Sequence, residues 1–170
     1  MPEGVAFEIM KFQMKYLKFV VLLPLLTLFA GRVNAQNDEA SVKEINAQFY
    51  KALDAIFKGD SEPMKAVWSH ADDITYMGPD GSFQKGWDQV LAEWQKQAAR
   101  NLGGKIETSD TVFNVGKTIA TTHTWVKGQH VDKEGKPLMV SIRATSIFRK
   151  EGDKWKMIGH HTDTLPFLQK

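Results

Sequence analysis

The sequence contains no cysteine. This excludes disulfide bonds, thiolate metal sites and a thiol nucleophile. It also lacks a glycine-rich phosphate loop, because Gly103-Gly104 precedes a strand rather than following one. The longest apolar run, Phe19 to Ala30, is shorter than the roughly 20 residues of a typical membrane-spanning helix. These absences leave a domain without thiolate chemistry or a glycine-rich phosphate loop as the starting expectation.

The first 35 residues have the pattern of a secretory signal peptide. A basic start from Met14 to Lys18 precedes the apolar run from Phe19 to Ala30, and Val33-Asn34-Ala35 offers a small-residue cleavage site. Met14 is an alternative start of translation, and an uncleaved N-terminal anchor is the alternative to cleavage. We therefore expect residues 1–35 to be removed and residues 36–170 to form one domain in the periplasm or the medium.

The balance of charge gives no support to polyanionic partners. The leader carries four of the 22 basic residues and two of the 20 acidic ones, so 18 of each remain after cleavage. A formally neutral domain has no electrostatic preference for nucleic acid or for an anionic membrane surface. We therefore expect neither nucleic acid nor, after cleavage, a membrane as a partner.

The first half of the domain has helical periodicity. Apolar residues recur at steps of three and four from Asp38 to Lys58, which predicts an amphipathic helix. A short helical turn is expected over Glu62 to Trp68, a brief strand over Ile74 to Met77, and a second long helix from about Gly86 to Arg100.

After Leu102 the sequence is strand-like. Four segments, Lys105 to Val115, Thr118 to His130, Leu138 to Lys150 and Lys154 to Thr164, are separated by short turns. Connections this short require antiparallel neighbours. The predicted fold is therefore α+β, with a curled antiparallel sheet and the element order α-α-β-α-β-β-β-β.

Four stretches of the sequence resemble a known superfamily: Leu53 to Asp60, Trp68 to Pro79, Gly86-Trp87 and Trp155 to His161. Together with the element order, they resemble the nuclear transport factor 2-like superfamily, in its SnoaL-like and ketosteroid-isomerase-like branch. The last stretch, with Pro166 shortly after it, also resembles the association domain of calcium/calmodulin-dependent protein kinase II.

The resemblance implies a cone-shaped domain. Its curled sheet would wrap around the long N-terminal helix and leave a cavity that holds a small, partly apolar molecule. The opposite face of the sheet often forms a homodimer in this superfamily. Function does not follow from the fold, because the same fold hosts isomerases, hydrolases and non-enzymatic assembly modules.

Strand alternation indicates which residues of the sheet are candidates for a functional site. His123 and Trp125 share one face of their strand, and Arg143, in the middle of the next, needs an anionic partner if it is buried. The alternative for Arg143 is a surface position at a dimer face. In the terminal strand, alternation places His161 and Asp163 on one face with Trp155, and His160 on the other. Because the resemblance to the kinase association domain runs through His161, we expect His161 to point into the cone and His160 to point away.

Tyr76, His123, His161 and Asp163 could form an acid–base set, in which one of the last three is the base and Tyr76 donates to a developing oxyanion. They match no catalytic trio of ketosteroid isomerase residue by residue, and structural histidines are the alternative. A metal site that includes His70 is a further alternative, but no pair has the spacing of a metal motif, so we expect neither metal nor cofactor.

The tryptophans of the helical half are candidates for the pocket wall. Trp68, Trp87 and Trp94 lie on or beside the helices, where tryptophan is often a core residue. The predicted ligand-binding residues are therefore those with an aromatic or polar group on the cavity side: Trp68, Tyr76, Trp94, His123, Trp125, Arg143 and His161. Three functions remain open: ligand binding without turnover, cofactor-free isomerase or hydratase chemistry, and dimeric assembly.

Overall fold

The computed structural model describes residues 36–131 and 134–163, and the structural statements below concern these residues. The predicted signal peptide, Pro166 and the turn residues Asp132 and Lys133 lie outside them. From Asp38 onward the chain forms one compact unit, and the boundary of the expected domain at residue 36 stays a prediction. None of the described helices combines the length and the apolar character needed to cross a membrane.

The long first helix, α1, covers residues 36–56 and provides the central apolar stripe. Val42, Ile45, Phe49 and Ile56 recur on one side and are buried, as the helical periodicity predicted. A single turn, α2 (Met64–Val67), follows. The second long helix, α3 (Trp87–Ala99), has the predicted extent to within a residue and buries Val90, Trp94 and Ala98.

The strands form one six-stranded sheet. Their bounds are β1 (Thr75–Met77), β2 (Phe83–Lys85), β3 (Lys105–Val115), β4 (Ile119–Val131), β5 (Pro137–Glu151) and β6 (Lys154–Asp163). The strand order is β2-β1-β6-β5-β4-β3, with antiparallel pairs except for the parallel pair of β1 and β6. The sheet is curled and does not close on itself. The predicted α+β class with a curled sheet is confirmed.

The sequence missed one element, strand β2. The predicted short strand is followed by a turn at Gly78 to Gly81 that leads into a hairpin, in which Tyr76 pairs with Gln84. Three residues are too few to show a period of two, so Phe83-Gln84-Lys85 gave no strand signal.

The two faces of the sheet have different environments. On the inner face, Thr122 Oγ1 of β4 donates a hydrogen bond to Asn46 Oδ1 of α1 at 3.3 Å, and Ala144 and Phe148 of β5 are buried. On the outer face, Trp125 and Ile147 remain 42% and 36% exposed. The inner face packs against α1 and therefore decides which side chains can line a cavity.

Candidate functional site

A cavity of about 470 Å³ lies between the helices and the inner face of the sheet. Its walls are mostly apolar and include Leu53, Phe57, Ile106, Val126 and Ile142. This volume is in the range of about 300–1,000 Å³ that is typical of small-molecule sites. The curl of the sheet over α1 and α3 thus creates a pocket of ligand size.

Polar and aromatic side chains meet in the depth of this cavity. Tyr76 of β1, Trp94 of α3 and His160 of β6 all line it and are between 1% and 4% exposed. The rings of Tyr76 and Trp94 are 4.5 Å apart between centroids, and those of Tyr76 and His160 are stacked at 6.1 Å. Gln97 Nε2 donates a hydrogen bond to Tyr76 Oη at 3.0 Å.

His160 is held in its neutral form. Its Nδ1 lies 2.9 Å from Ser146 Oγ, and its ring packs against Phe49 with the centroids 4.6 Å apart. Burial, together with the neighbouring His161, lowers the pKa of His160 to about 3. A group with so low a pKa is a weak general base at neutral pH.

The two tyrosines of the cavity are hydrogen-bond donors at neutral pH. Burial raises the pKa of Tyr76 to about 12, although the hydrogen bond from Gln97 opposes this rise. Burial also raises the pKa of Tyr50, which lines the same cavity from α1. Both phenols therefore keep their protons and can donate a hydrogen bond to an acceptor.

The predicted orientation of the two histidines was wrong. His160 lines the cavity, whereas His161 is exposed on the outer face. The cause is a β-bulge in β6: Ile147 pairs with Gly159 but Phe148 pairs with Met157, so Ile158 is an additional residue without an opposite partner. One additional residue reverses the alternation of every side chain that follows it.

Most of the predicted sheet residues therefore lie outside the cavity. His123, Trp125, Arg143, His161 and Asp163 line a shallow outer-face groove of about 410 Å³, together with Asp110 and Val112. Tyr76 is on the opposite side of the sheet. The predicted acid–base set of Tyr76 with His123, His161 and Asp163 is not brought together, and these three residues do not face the cone cavity.

Within this outer-face groove the polar groups are partnered across strands. Arg143 donates two hydrogen bonds to Asp163, from Nε at 3.2 Å and from Nη2 at 2.8 Å. This pair raises the pKa of Arg143. His123 Nδ1 lies 3.2 Å from Thr145 Oγ1, and Thr145 pairs with His161 in the next strand. Arg143 thus has a carboxylate partner, and it lies at a surface position, which was the alternative to burial.

The tryptophans have three different environments. Trp94 lines the cavity as predicted. Trp68 is fully buried behind it, with its ring centroid 6.2 Å from that of Trp94, and belongs to the core rather than the cavity wall. Trp87 stacks on His70 at 4.1 Å between centroids. Among the described residues, no three histidine, aspartate or glutamate side chains are grouped so that they could hold a metal ion.

Sequence reasoning missed several residues of the cavity, above all Tyr50, Gln97 and His160. Tyr50 carried a usable signal, because it lies three residues before Leu53 and seven before Phe57, on a stripe beside the main apolar one. For His160 the available signal was Gly159, because a glycine inside a strand often marks a bulge, and a bulge at this point turns His160 toward the cavity.

Comparisons with known proteins place the chain among proteins of one fold. A family model described as SnoaL-like domain matches residues 42–164. No curated protein matches the sequence. Solved structures do match, but their identities are low enough that they show the fold alone.

Three of these structures illustrate how differently the matching proteins are described. A candidate dehydratase of the NTF2-like family from Streptomyces avermitilis has 21% identity over 77% of this chain and 98% of its own, with a TM-score of 0.68. An NTF2-like protein with a cystatin-like fold from Novosphingobium aromaticivorans has 19% identity over 82% and 90%, with a TM-score of 0.66. A candidate calcium/calmodulin-dependent protein kinase type II association domain from Thiobacillus denitrificans has 22% identity over 72% and 94%, with a TM-score of 0.62.

Proposed function

Because the chain belongs to the SnoaL-like domain family, as the four sequence stretches predicted, we propose that it binds a small, partly apolar molecule in the cavity of the cone. The observation that carries this proposal is the cavity of about 470 Å³, with apolar walls and a few deep polar groups. That combination is the usual form of a small-molecule site.

Binding without turnover is favoured over acid–base catalysis. An enzyme of the isomerase or hydratase type needs a group in the cavity whose pKa is close to the working pH. His160 is the histidine set deepest in the wall, and its pKa of about 3 makes it a poor base. His123, His161 and Asp163 lie in the outer-face groove instead. A dehydratase function such as that suggested for the Streptomyces protein would need a different base. The other candidates that line the cavity are Asp80 and His130, whose Nδ1 lies 3.1 Å from the carbonyl oxygen of Gly103.

The proposal predicts a molecule retained during purification. Native mass spectrometry of the protein isolated from its own host should show a mass excess that disappears on denaturation. A protein that carries no additional mass, and that binds nothing from an extract of the same cells, would contradict the proposal.

Filling the cavity should abolish this binding. Val126 is 3% exposed and lines the cavity, so Val126→Phe should weaken binding of the retained molecule at least about tenfold through steric overlap. Val112→Phe is the matched control, because Val112 is 56% exposed and lies on the outer face. Calorimetric titration measures both. Equal affinity of the two variants would place the ligand outside the cone.

We also propose that the outer face forms a homodimer. Val112, Ile119, Trp125 and Ile147 are large apolar side chains that remain exposed on this face, on three neighbouring strands. Sedimentation at micromolar concentration should give about twice the mass of residues 36–170. Trp125→Glu should shift the protein to monomers, whereas Phe83→Glu, at an exposed position on β2, should not. A wild-type monomer under these conditions would contradict the dimer.

Export is the third proposal, and it rests on the basic start, the apolar run and the Val33-Asn34-Ala35 site. N-terminal sequencing of the protein from its host should begin at Gln36, either free or cyclised. Full-length protein in the cytoplasm would contradict this proposal.

A further inference from the structure

The mouth of the cavity carries two opposite charges. Apart from histidine and tyrosine, the titratable side chains among the described residues that line the cavity are Asp80 and Arg100. Both residues are exposed, whereas Tyr76 in the depth is 3% exposed. A residue that lines a cavity and also meets the solvent lies at the opening. The carboxylate and the guanidinium are therefore placed where they can act on the passage of a ligand.

Asp80 lies in the turn that joins β1 to β2, residues 78–82. Two backbone hydrogen bonds close this turn, from the N–H of Gly78 to the carbonyl oxygen of Ser82 at 3.2 Å and from the N–H of Gly81 to that of Gly78 at 3.1 Å. The N–H of Ser82 also donates to Asp80 Oδ1 at 3.1 Å, which holds the carboxylate on its own turn. The turn is therefore a compact unit that can move as a whole.

This turn packs on the wall of the cavity and is carried by short strands. A Cβ added at Gly78 would lie 2.9 Å from Asp80 Oδ1 and 3.1 Å from Tyr76 Oη. Gln97 Nε2 donates a hydrogen bond to the same Tyr76 Oη, which ties β1 to α3 beneath the turn. The strands β1 and β2 have three residues each, and β2 is at the edge of the sheet. A short edge hairpin is among the parts of a sheet that open most easily, so the turn can open while Tyr76 stays tied.

Arg100 faces the mouth from the end of α3. It is the C-cap residue of this helix, where the helix dipole favours a positive charge. Hydrogen bonds from Ser82 are the main cause of the lowered pKa of Asp80, and the charge of Arg100 lowers this pKa further. The two charges are thus close enough to attract each other. Because they belong to different sides of one opening, their attraction favours a closed mouth.

We propose that residues 78–82 form a lid over the cavity and that the attraction between Asp80 and Arg100 holds this lid closed. The lid slows both the entry and the exit of the bound molecule. This inference rests on the proposed function, because it concerns how the ligand of the same cavity is exchanged.

Stopped-flow kinetics with N-phenyl-1-naphthylamine, an uncharged fluorescent dye for apolar cavities, test the lid. Asp80→Asn keeps the oxygen that accepts from Ser82 but removes the charge, and Arg100→Gln removes the opposite charge. Each substitution should raise the association rate and the dissociation rate of the dye by the same factor, about threefold, which is the usual value of an exposed charge pair. The Kd should not change, because a lid acts on the path and not on the bound state.

Further variants assign the effect to the pair. Asp80→Asn combined with Arg100→Gln should add nothing to either single substitution. The exchanged pair, Asp80→Arg with Arg100→Asp, should restore slow exchange of the dye. Asp73→Asn is the matched control, because Asp73 also pairs with an arginine, Arg149, at 2.6 Å but does not line the cavity. Thermal melts show that each variant is folded.

An engineered disulfide provides a measurement that needs no ligand. The chain has no cysteine, so Asp80→Cys with Arg100→Cys contains a single possible pair. If the lid closes against the end of α3, this pair should oxidise readily, and the oxidised protein should exchange the dye only after reduction. Asp73→Cys with Arg100→Cys is the control and should not form a disulfide.

The outcomes separate this inference from the proposed function. Unchanged rates in Asp80→Asn and Arg100→Gln, or a disulfide that does not form, would overturn the lid and leave a binding cavity. A faster dissociation with an unchanged association rate would also overturn it, because the two residues would then contact the dye. The disulfide decides on the lid even if the dye does not bind. Failure of the dye to bind, together with no retained molecule, would contradict the proposed function as well.

Discussion

The folded domain should lose stability steeply as the pH falls below 6.5, and His160 should be the cause. Its pKa is lowered from 6.5 to about 3 by burial. Between these pH values His160 is therefore protonated in the unfolded chain and neutral in the folded chain. Stability is therefore fully present above pH 6.5 and decreases by about 1.4 kcal/mol for each pH unit below it. At pH 5 the expected loss is about 2 kcal/mol, measured by urea unfolding at a series of pH values.

Three carboxyl groups with a lowered pKa affect the stability in a different pH range. The pKa values of Asp38, Asp73 and Asp80 are lowered from 3.8 by their hydrogen-bonding partners Lys150, Arg149 and Ser82. A lowered carboxyl pKa contributes stability that is present above 3.8 and is lost as the pH falls through the folded-state value. These three carboxyl groups thus affect stability below the interval from pH 6.5 to pH 5 in which His160 acts.

Two asparagine variants provide the controls. His160→Asn retains a polar group near Ser146 Oγ but cannot take up a proton, so the slope between pH 6.5 and pH 5 should disappear whatever the total stability of the variant. His161→Asn changes an exposed neighbour and should keep most of the slope. A slope that persists in His160→Asn would show that the buried histidine is not its source.

Gly128→Ala should be the most damaging small substitution in the sheet. A Cβ at this position would lie 2.1 Å from the carbonyl oxygen of Lys105 and 2.8 Å from the Cα of Ile106, both of them backbone atoms of the neighbouring strand. Backbone cannot move aside as the end of a flexible side chain can, so β3 and β4 would have to separate. We expect a loss of about 3 kcal/mol in the free energy of unfolding, measured by urea titration.

A second glycine in the sheet provides the matched control. At Gly159 an added Cβ would meet only side-chain carbons of Ile147, the nearest at 3.3 Å. Gly159→Ala should therefore cost less than about 1 kcal/mol. Since Ile106 lines the cavity beside Gly128, Gly128→Ala should also weaken ligand binding, and Gly159→Ala should not. Equal destabilisation by the two substitutions would show that the close approach of β3 and β4 at Gly128 is not the cause of the loss.

The fold followed from local patterns that the tertiary structure did not override. The apolar stripe of α1, the bounds of α3 and the short turns between the last strands are set by residues close together in sequence. Their order, with the four matching stretches, was enough to predict the curled sheet and the family. Only strand β2 was not predicted, because three residues are too few to show a periodicity.

The composition of the site depended on the tertiary structure. Alternation correctly separated His160 from His161, but the single additional residue Ile158 reversed which of them faces the cavity. Gly159 marks a place where β6 can bulge, but alternation alone does not say whether the strand is interrupted there, and the pairing of Phe148 with Met157 shows that it is. The sequence by itself thus determined every element except β2 and the order of these elements, whereas the register between β5 and β6 decided which histidine lies inside the cone.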